Sequence, residues 1–197
     1  KKNDLWIISD EVYDRIIYNE EHVSFLGAGH DKLFLINSFS KTFAMTGWRI
    51  GYVLSPDAKA MVEVNKMQYY VTACSNDAMQ YAVLEAMNKA PDYPSFMCSE
   101  FKSRRDLICS RLNSMPGVSC HIPDGAFYVF PKVQIEGYNS EQLAVAILEK
   151  GGVLCSPGTA FGNAGEGHLR FAYTLDKEGI SKGMDRLEKV LSELRGE

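Results

Sequence analysis

Short runs of continuous apolar residues alternate along the chain with longer segments in which apolar residues recur at helical spacing. The short runs predict strands at residues 5–9, 33–37, 50–54, 118–121, 126–130, 152–154 and 169–173. Start signals and helical spacing predict helices at 55–67, 76–88 and 92–115, after a Ser140 cap and after Asp176. This alternation of strands and helices is typical of α/β proteins.

The predicted elements separate into two parts. The first three strands are typical of a parallel-sheet layer, and the later, shorter elements are typical of a smaller α/β unit. Pro91 and Pro94 mark the change between the two patterns. We therefore predict one domain over residues 1–92 and a second over residues 93–197.

Composition narrows the class of protein. Of the 197 residues, 46% are hydrophobic and 23% are charged, which is typical of a globular protein. A formal net charge of −4 argues against a general nucleic-acid binder. No apolar stretch approaches the roughly 20 residues that span a bilayer, so no membrane association is predicted.

Cysteine and histidine usage bears on metal binding and location. The five cysteines are odd in number and scattered, which fits reduced core residues of a cytoplasmic protein better than disulfides. The four histidines show no ligand spacing. We therefore expect no metal site.

One segment carries a strong chemical signal. Lys41 follows Ser38 and Ser40 closely, and Arg49 lies eight positions further on. A lysine that forms a Schiff base needs a confined site, and an arginine with serine hydroxyls suits a phosphate. Together these residues indicate a cofactor with an aldehyde and a phosphate, namely pyridoxal 5′-phosphate.

Asp10 and Tyr13 follow the first predicted strand. Ligands of open α/β sheets collect at the carboxyl ends of strands. A carboxylate there can keep a pyridine nitrogen protonated, and a phenol three residues later can hydrogen-bond a ring oxygen. A turn-capping aspartate with a packed tyrosine is the alternative interpretation.

Arg170 lies within the apolar run 169–173. An arginine on such a strand is costly unless an anion meets it, and its planar guanidinium matches an α-carboxylate bidentately. An internal ion pair with Asp or Glu is the competing interpretation.

These motifs in order, Asp-x-x-Tyr, Ser-x-x-Lys, Gly-x-Arg-x-Gly and a late-strand arginine, cover nearly the whole chain. The pattern resembles the C-terminal half of a fold-type I, class I/II aminotransferase of the aspartate/aromatic branch. The resemblance implies an α/β fold in which residues 1–92 are the remnant of the large cofactor-binding domain. Residues 93–197 would form the small C-terminal domain.

The resemblance also implies roles for the site residues. Lys41 would hold the cofactor as a Schiff base and then move the α-proton of the substrate. Asp10 would pair with the pyridine nitrogen, Tyr13 with the ring oxygen, and Arg170 with the substrate carboxylate.

Phosphate binding is implied for Arg49 with Ser38 or Ser40, and the motif leaves the choice of serine open. The implied reaction moves an amino group between an L-amino acid, of aspartate or aromatic type, and a 2-oxo acid. A homodimer is implied as well, since family members are dimers.

Two alternatives remain at this point. A carbon–sulfur lyase or related synthase on the same fold would keep the same residues, and a cofactor-free, non-catalytic domain describes the isolated chain. The chain opens without Met, directly on its first strand, so we expect a truncation. The family's upstream phosphate-binding turn and ring-stacking aromatic are absent, and we expect the isolated chain to be inactive.

Overall fold

The computed structural model describes residues 2–196, which form two compact units, one ending at Cys98 and the next beginning at Ser99. The helices are α1 (Phe39–Thr42), α2 (Ala58–Thr72), α3 (Asp77–Lys89), α4 (Tyr93–Ser114), α5 (Ser140–Gly151) and α6 (Lys177–Arg195). The strands are β1 (Ile7–Asp10), β2 (Leu33–Ser38), β3 (Gly51–Leu54), β4 (Val118–Ser119), β5 (Tyr128–Val129), β6 (Lys132–Val133), β7 (Ser156–Pro157) and β8 (Leu169–Ala172).

A three-stranded sheet in the order β1-β2-β3 forms the centre of the first unit. β1 pairs with β2 in parallel, with Asp10 opposite Ile36, whereas β3 pairs with β2 antiparallel. The predicted all-parallel layer is therefore wrong for β3. The reason is the connection between β2 and β3, which holds the one-turn helix α1 and no crossover helix of the length that parallel strands need.

The first predicted strand is also less buried than expected. β1 begins at Ile7 rather than residue 5, and its residues alternate between partly buried and exposed positions. Ile8 is 70% exposed. The face of β1 that carries Ile8 and Asp10 is therefore exposed to solvent.

A close approach of two strands explains Gly51. Ser38 lies opposite Gly51 in the β2–β3 register. A Cβ at Gly51 would lie 2.6 Å from the carbonyl oxygen of Asn37, closer than any side chain allows. Glycine is required here for β3 to pair with the end of β2.

Helix α2 starts later than predicted. Its N-cap is Asp57, whose side chain accepts hydrogen bonds from the backbone N–H groups of Lys59 and Ala60. Asp57 can bond two N–H groups of the first turn, so it displaces the predicted Ser55 cap. The helix also continues to Thr72, five residues beyond the predicted end.

The second unit contains a two-stranded sheet, β4-β6, and a three-stranded sheet, β5-β8-β7. Helices α5 and α6 pack against each other, and α5 also contacts β7. Helical spacing after Asp176 predicts one apolar face for α6, made of Ile180, Met184, Leu187, Leu191 and Leu194. The structure buries the first four and leaves Leu194 partly exposed. Tyr173 is completely buried and donates its hydroxyl to the Ala126 carbonyl at 3.1 Å.

Two local predictions in the second unit are wrong. The N-cap of α5 is Asn139 rather than Ser140, because Asn139 and Gln142 form a reciprocal capping box. The predicted strand 152–154 lies instead at Ser156–Pro157, since Gly152 ends α5 in a left-handed conformation and the chain first pairs with β8 at Ser156.

Candidate active site

The carboxyl ends of β1 and β2 lie side by side at one edge of the first sheet. The parallel register places Asp10 at this edge, and β2 ends two residues beyond the partner of Asp10, at Ser38. Helix α1 follows at once and carries Ser40 and Lys41. The predicted residues of the first unit are therefore gathered at the edge where ligands of α/β sheets bind.

Ser38 and Ser40 form a hydroxyl pair. Ser38 is the N-cap of α1, and its Oγ accepts from the Ser40 N–H at 3.0 Å. The same Oγ lies 2.8 Å from Ser40 Oγ and 3.0 Å from the Ile50 carbonyl oxygen, so its single proton is used internally. Because Ser38 Oγ donates to Ser40 Oγ, the O–H of Ser40 is the donor of the pair that can face an anion.

Arg49 lines the same cleft as these two serines. The cleft has a volume of about 450 Å³ and lies between the β2–β3 end of the sheet and one face of α2. Arg49 has a left-handed backbone (φ 55°) and donates from Nη1 to the Thr46 carbonyl at 2.8 Å. Its charge is the only one among the described residues that line the cleft.

Lys41 lies beside the predicted ring contact Tyr13. Its Nζ is 5.8 Å from the centroid of the Tyr13 ring, and the lysine side chain is half-buried. The two residues are 28 positions apart in the chain and are brought together by the parallel pairing of β1 and β2. The structure thus places an amine and a phenol next to each other at the sheet edge.

Asp10 is exposed at the end of β1. Its Oδ1 accepts a long hydrogen bond of 3.3 Å from the Val12 N–H, and no ion pair within the described residues neutralises it. The turn-capping bond of the alternative interpretation is therefore present. An exposed carboxylate with one weak bond also retains lone pairs for a ligand.

Arg170 belongs to the second unit and lies on β8 opposite Ser156. Its guanidinium carbon lies 4.7 Å from the Tyr128 ring centroid and 4.4 Å from the Phe161 ring centroid. Its Nη2 is 3.5 Å from Ser156 Oγ. No carboxylate of residues 2–196 pairs with Arg170, so the competing internal ion pair is not present in the described part of the chain.

The sequence interpretation overlooked two buried polar residues near the site. Asn37 accepts from the Ser38 N–H at 2.6 Å through Oδ1, and Glu11 is a buried carboxylate directly after Asp10. Each of these two residues is next in sequence to a predicted site residue near the end of a strand. That position is the signal that could have identified them. No group of three or more potential metal ligands, and no helix long and apolar enough to cross a membrane, occurs within residues 2–196.

Comparison with known proteins identifies the family of this chain. Residues 1–187 match the family model of class I and II aminotransferases, and this chain belongs to that family. It is similar to an aspartate aminotransferase of Pyrococcus horikoshii, with 40% identity over 95% of this chain and 48% of the relative. It is also similar to aromatic-amino-acid aminotransferase 2 of Thermococcus litoralis, with 36% identity over 98% of this chain and 50% of the relative.

The fold comparison gives the same result. The solved structure of an aromatic aminotransferase from Pyrococcus horikoshii matches with a TM-score of 0.90 and 36% identity, covering 98% of this chain and 52% of that one. The predicted family and the predicted fold class are confirmed. The chain spans about half the length of the curated relatives it matches.

Proposed function

We propose that this chain forms part of a pyridoxal-phosphate-dependent aminotransferase that moves an amino group between an L-amino acid, of aspartate or aromatic type, and a 2-oxo acid. The proposal rests on the arrangement of four residues. Ser38, Ser40 and Arg49 line a single cleft, and Lys41 follows in the same helical turn. The aspartate and aromatic aminotransferases among its relatives support the substrate class.

The donor set of the cleft fits a phosphate. The guanidinium of Arg49 has five N–H donors, one of which is used on Thr46, and the serine pair retains a further O–H donor. The other described residues lining the cleft are uncharged, so no carboxylate there opposes an anion. A cleft of about 450 Å³ is in the range of small-molecule sites.

The remaining residues fit the rest of the cofactor. When bound, pyridoxal phosphate supplies an aldehyde that condenses with amines and an electron-poor ring that withdraws electrons from the substrate Cα. Asp10 would accept a hydrogen bond from the protonated ring nitrogen, and Tyr13 would donate to the ring oxygen. A carboxylate accepts such a bond, and a phenol donates one.

The chemistry of this chain's own residues is acid–base catalysis and orientation. Lys41 Nζ is the general base that removes the proton from the substrate Cα. Arg170 binds the α-carboxylate through its planar fork, which orients the amino acid. We further propose that the full-length protein acts as a homodimer.

Borohydride labelling of the full-length protein tests the proposal. We expect peptide mapping of the cofactor-loaded, reduced protein to place the pyridoxyl group on Lys41, because Lys41 directly follows Ser40 in helix α1 and its amine lies 5.8 Å from the Tyr13 ring centroid. Lys41→Ala should abolish the label, whereas Lys59→Ala, at an exposed lysine of α2, should not. A label on another lysine would refute the assignment.

The products then distinguish the reaction classes. Incubation with an amino acid and a 2-oxo acid should yield the exchanged pair. Release of sulfide or thiol from cysteine conjugates, without amino transfer to the oxo acid, would instead support the carbon–sulfur lyase.

A further inference from the structure

Glu11 is a buried carboxylate that the proposed function does not use. It directly follows Asp10, and only 7% of its surface is exposed. Asp10 is the last residue of β1 and is exposed, whereas Glu11, the next residue, is buried. A buried carboxylate is costly unless it is fully hydrogen-bonded.

Donors from two parts of the chain surround this carboxylate. Oε1 accepts from Ser9 Oγ and from the Phe25 N–H, each at 3.0 Å, and Oε2 lies 2.7 Å from His22 Nε2. Burial by itself raises the pKa of Glu11, but the hydrogen bonds from His22, Ser24, Phe25 and Ser9 outweigh burial and hold the pKa below its ordinary value. Glu11 therefore ties the end of β1 to the segment 22–25.

The backbone of Glu11 is held as well. Its N–H donates to the Ile36 carbonyl on β2 at 2.8 Å, and its carbonyl accepts from the Asp14 N–H at 3.0 Å. Asp10, by contrast, has the long 3.3 Å bond to the Val12 N–H and is exposed. The bonds of Glu11 therefore hold the backbone that directly follows Asp10.

We propose that Glu11, held by His22, is a positioning residue that fixes the turn carrying Asp10 and Tyr13. This proposal depends on the proposed function in one respect, namely that the turn fixed by Glu11 binds the cofactor ring. A merely structural bond would affect folding stability alone. A positioning residue must also control the order of the turn and, through it, the affinity for the cofactor.

Two measurements on the full-length protein test this role. The first is amide hydrogen exchange without cofactor at Asp14 and Ile16, whose N–H groups donate within the turn to the carbonyls of Glu11 and Tyr13 at 3.0 and 2.9 Å. The second is the dissociation constant of pyridoxal phosphate. Glu11→Gln replaces one carboxylate oxygen, which accepts hydrogen bonds, with an amide NH₂ group. That group would face the N–H and O–H donors around residue 11. We expect exchange at both amides to accelerate about tenfold or more and the dissociation constant to rise by a similar factor. Glu21→Gln, at an exposed glutamate of the same loop, is the matched control and should change neither.

Variants of His22 provide an independent test should Glu11→Gln fail to fold. His22→Ala removes one donor and should produce the same two changes to a smaller degree. His22→Gln retains an amide N–H donor of similar reach and should restore both values toward those of the unmodified protein.

A lower melting temperature with unchanged exchange and unchanged cofactor affinity would overturn the proposal, and so would faster exchange without loss of affinity. Failure of the proposed function is a separate result. If the unmodified protein does not bind pyridoxal phosphate, the proposed function is wrong, and exchange at Asp14 and Ile16 still decides whether Glu11 holds the turn.

Discussion

The guanidinium of Arg170 lies between two aromatic rings, those of Tyr128 and Phe161. Ring faces attract the cation without consuming its in-plane N–H donors. The rings restrict rotation of the guanidinium plane, so the fork is already oriented before a carboxylate arrives. Lysine would keep the charge but lose both the stacking and the paired donors.

We therefore predict that Arg170→Lys in the full-length protein raises KM for the amino acid far more than it weakens cofactor binding. The lost charged hydrogen bond is worth about 1.5–3 kcal/mol, or roughly 10- to 150-fold in KM. Steady-state kinetics and cofactor titration measure the two effects. Arg186→Lys, on the exposed side of α6, is the control and should leave both unchanged. Equal damage to cofactor affinity would assign Arg170 a phosphate-binding or structural role.

The start of helix α5 depends on a carboxylate from another part of the second unit. Glu166 Oε1 accepts from the Ser140 N–H and from Ser140 Oγ, both at 2.9 Å, and from the Gly167 N–H at 3.1 Å. The bond from the Ser140 backbone is the main cause that lowers the pKa of Glu166 below its ordinary value of 4.5, and the Ser140 hydroxyl adds to it. The ionised form of Glu166 therefore stabilises the folded state.

This shift predicts a pH dependence of stability. Because the folded-state pKa of Glu166 is lowered, its stabilisation is present above pH 4.5 and is lost as the pH falls through the lower folded-state value. Glu166→Gln should lower the melting temperature near neutral pH, and the difference from the unmodified chain should shrink in acid. Thermal melts across this range measure it, with Glu149→Gln on exposed α5 surface as the control. A difference that is constant with pH would contradict the prediction.

At the scale of elements, structural features that depend on residues near in the chain were predicted from the sequence. Features that depend on residues far apart in the chain were not. The periodicity of α6 identified its buried face because 3.6-residue spacing is a local property. The Glu166–Ser140 contact joins residues 26 positions apart and leaves no local pattern. The antiparallel direction of β3 likewise follows from pairing with β2 rather than from its own residues.

The candidate site was predictable to the extent that its residues form spaced motifs. Lys41 and Arg49 stand in one run, and the structure places Arg49 and both serines on one cleft. The roles assigned to these residues remain predictions. Glu11 was missed because its function as an acceptor depends on donors that the fold brings from residues 22–25.

At the scale of the whole molecule, large apolar side chains are exposed mainly in the first unit. Leu5, Trp6 and Ile8 are 63%, 46% and 70% exposed. Helix α2 has no buried residue, although it carries Tyr70 and Val71, which are 82% and 70% exposed. Exposed apolar side chains in this number favour association in water.

We predict that the isolated 197-residue chain self-associates and binds pyridoxal phosphate weakly. It spans about half the length of its relatives, and among the described residues that line the cleft, the phosphate donors are Arg49 and the serine pair. Each contact that the family has upstream is worth about 1 kcal/mol, so losing several lowers affinity by orders of magnitude. Cofactor titration together with light scattering measures both properties. As a control, replacing Tyr70 and Val71 with lysine should reduce association without changing cofactor affinity. A monodisperse monomer that binds the cofactor tightly, with the borohydride label on Lys41, would show that this chain already contains the complete cofactor site.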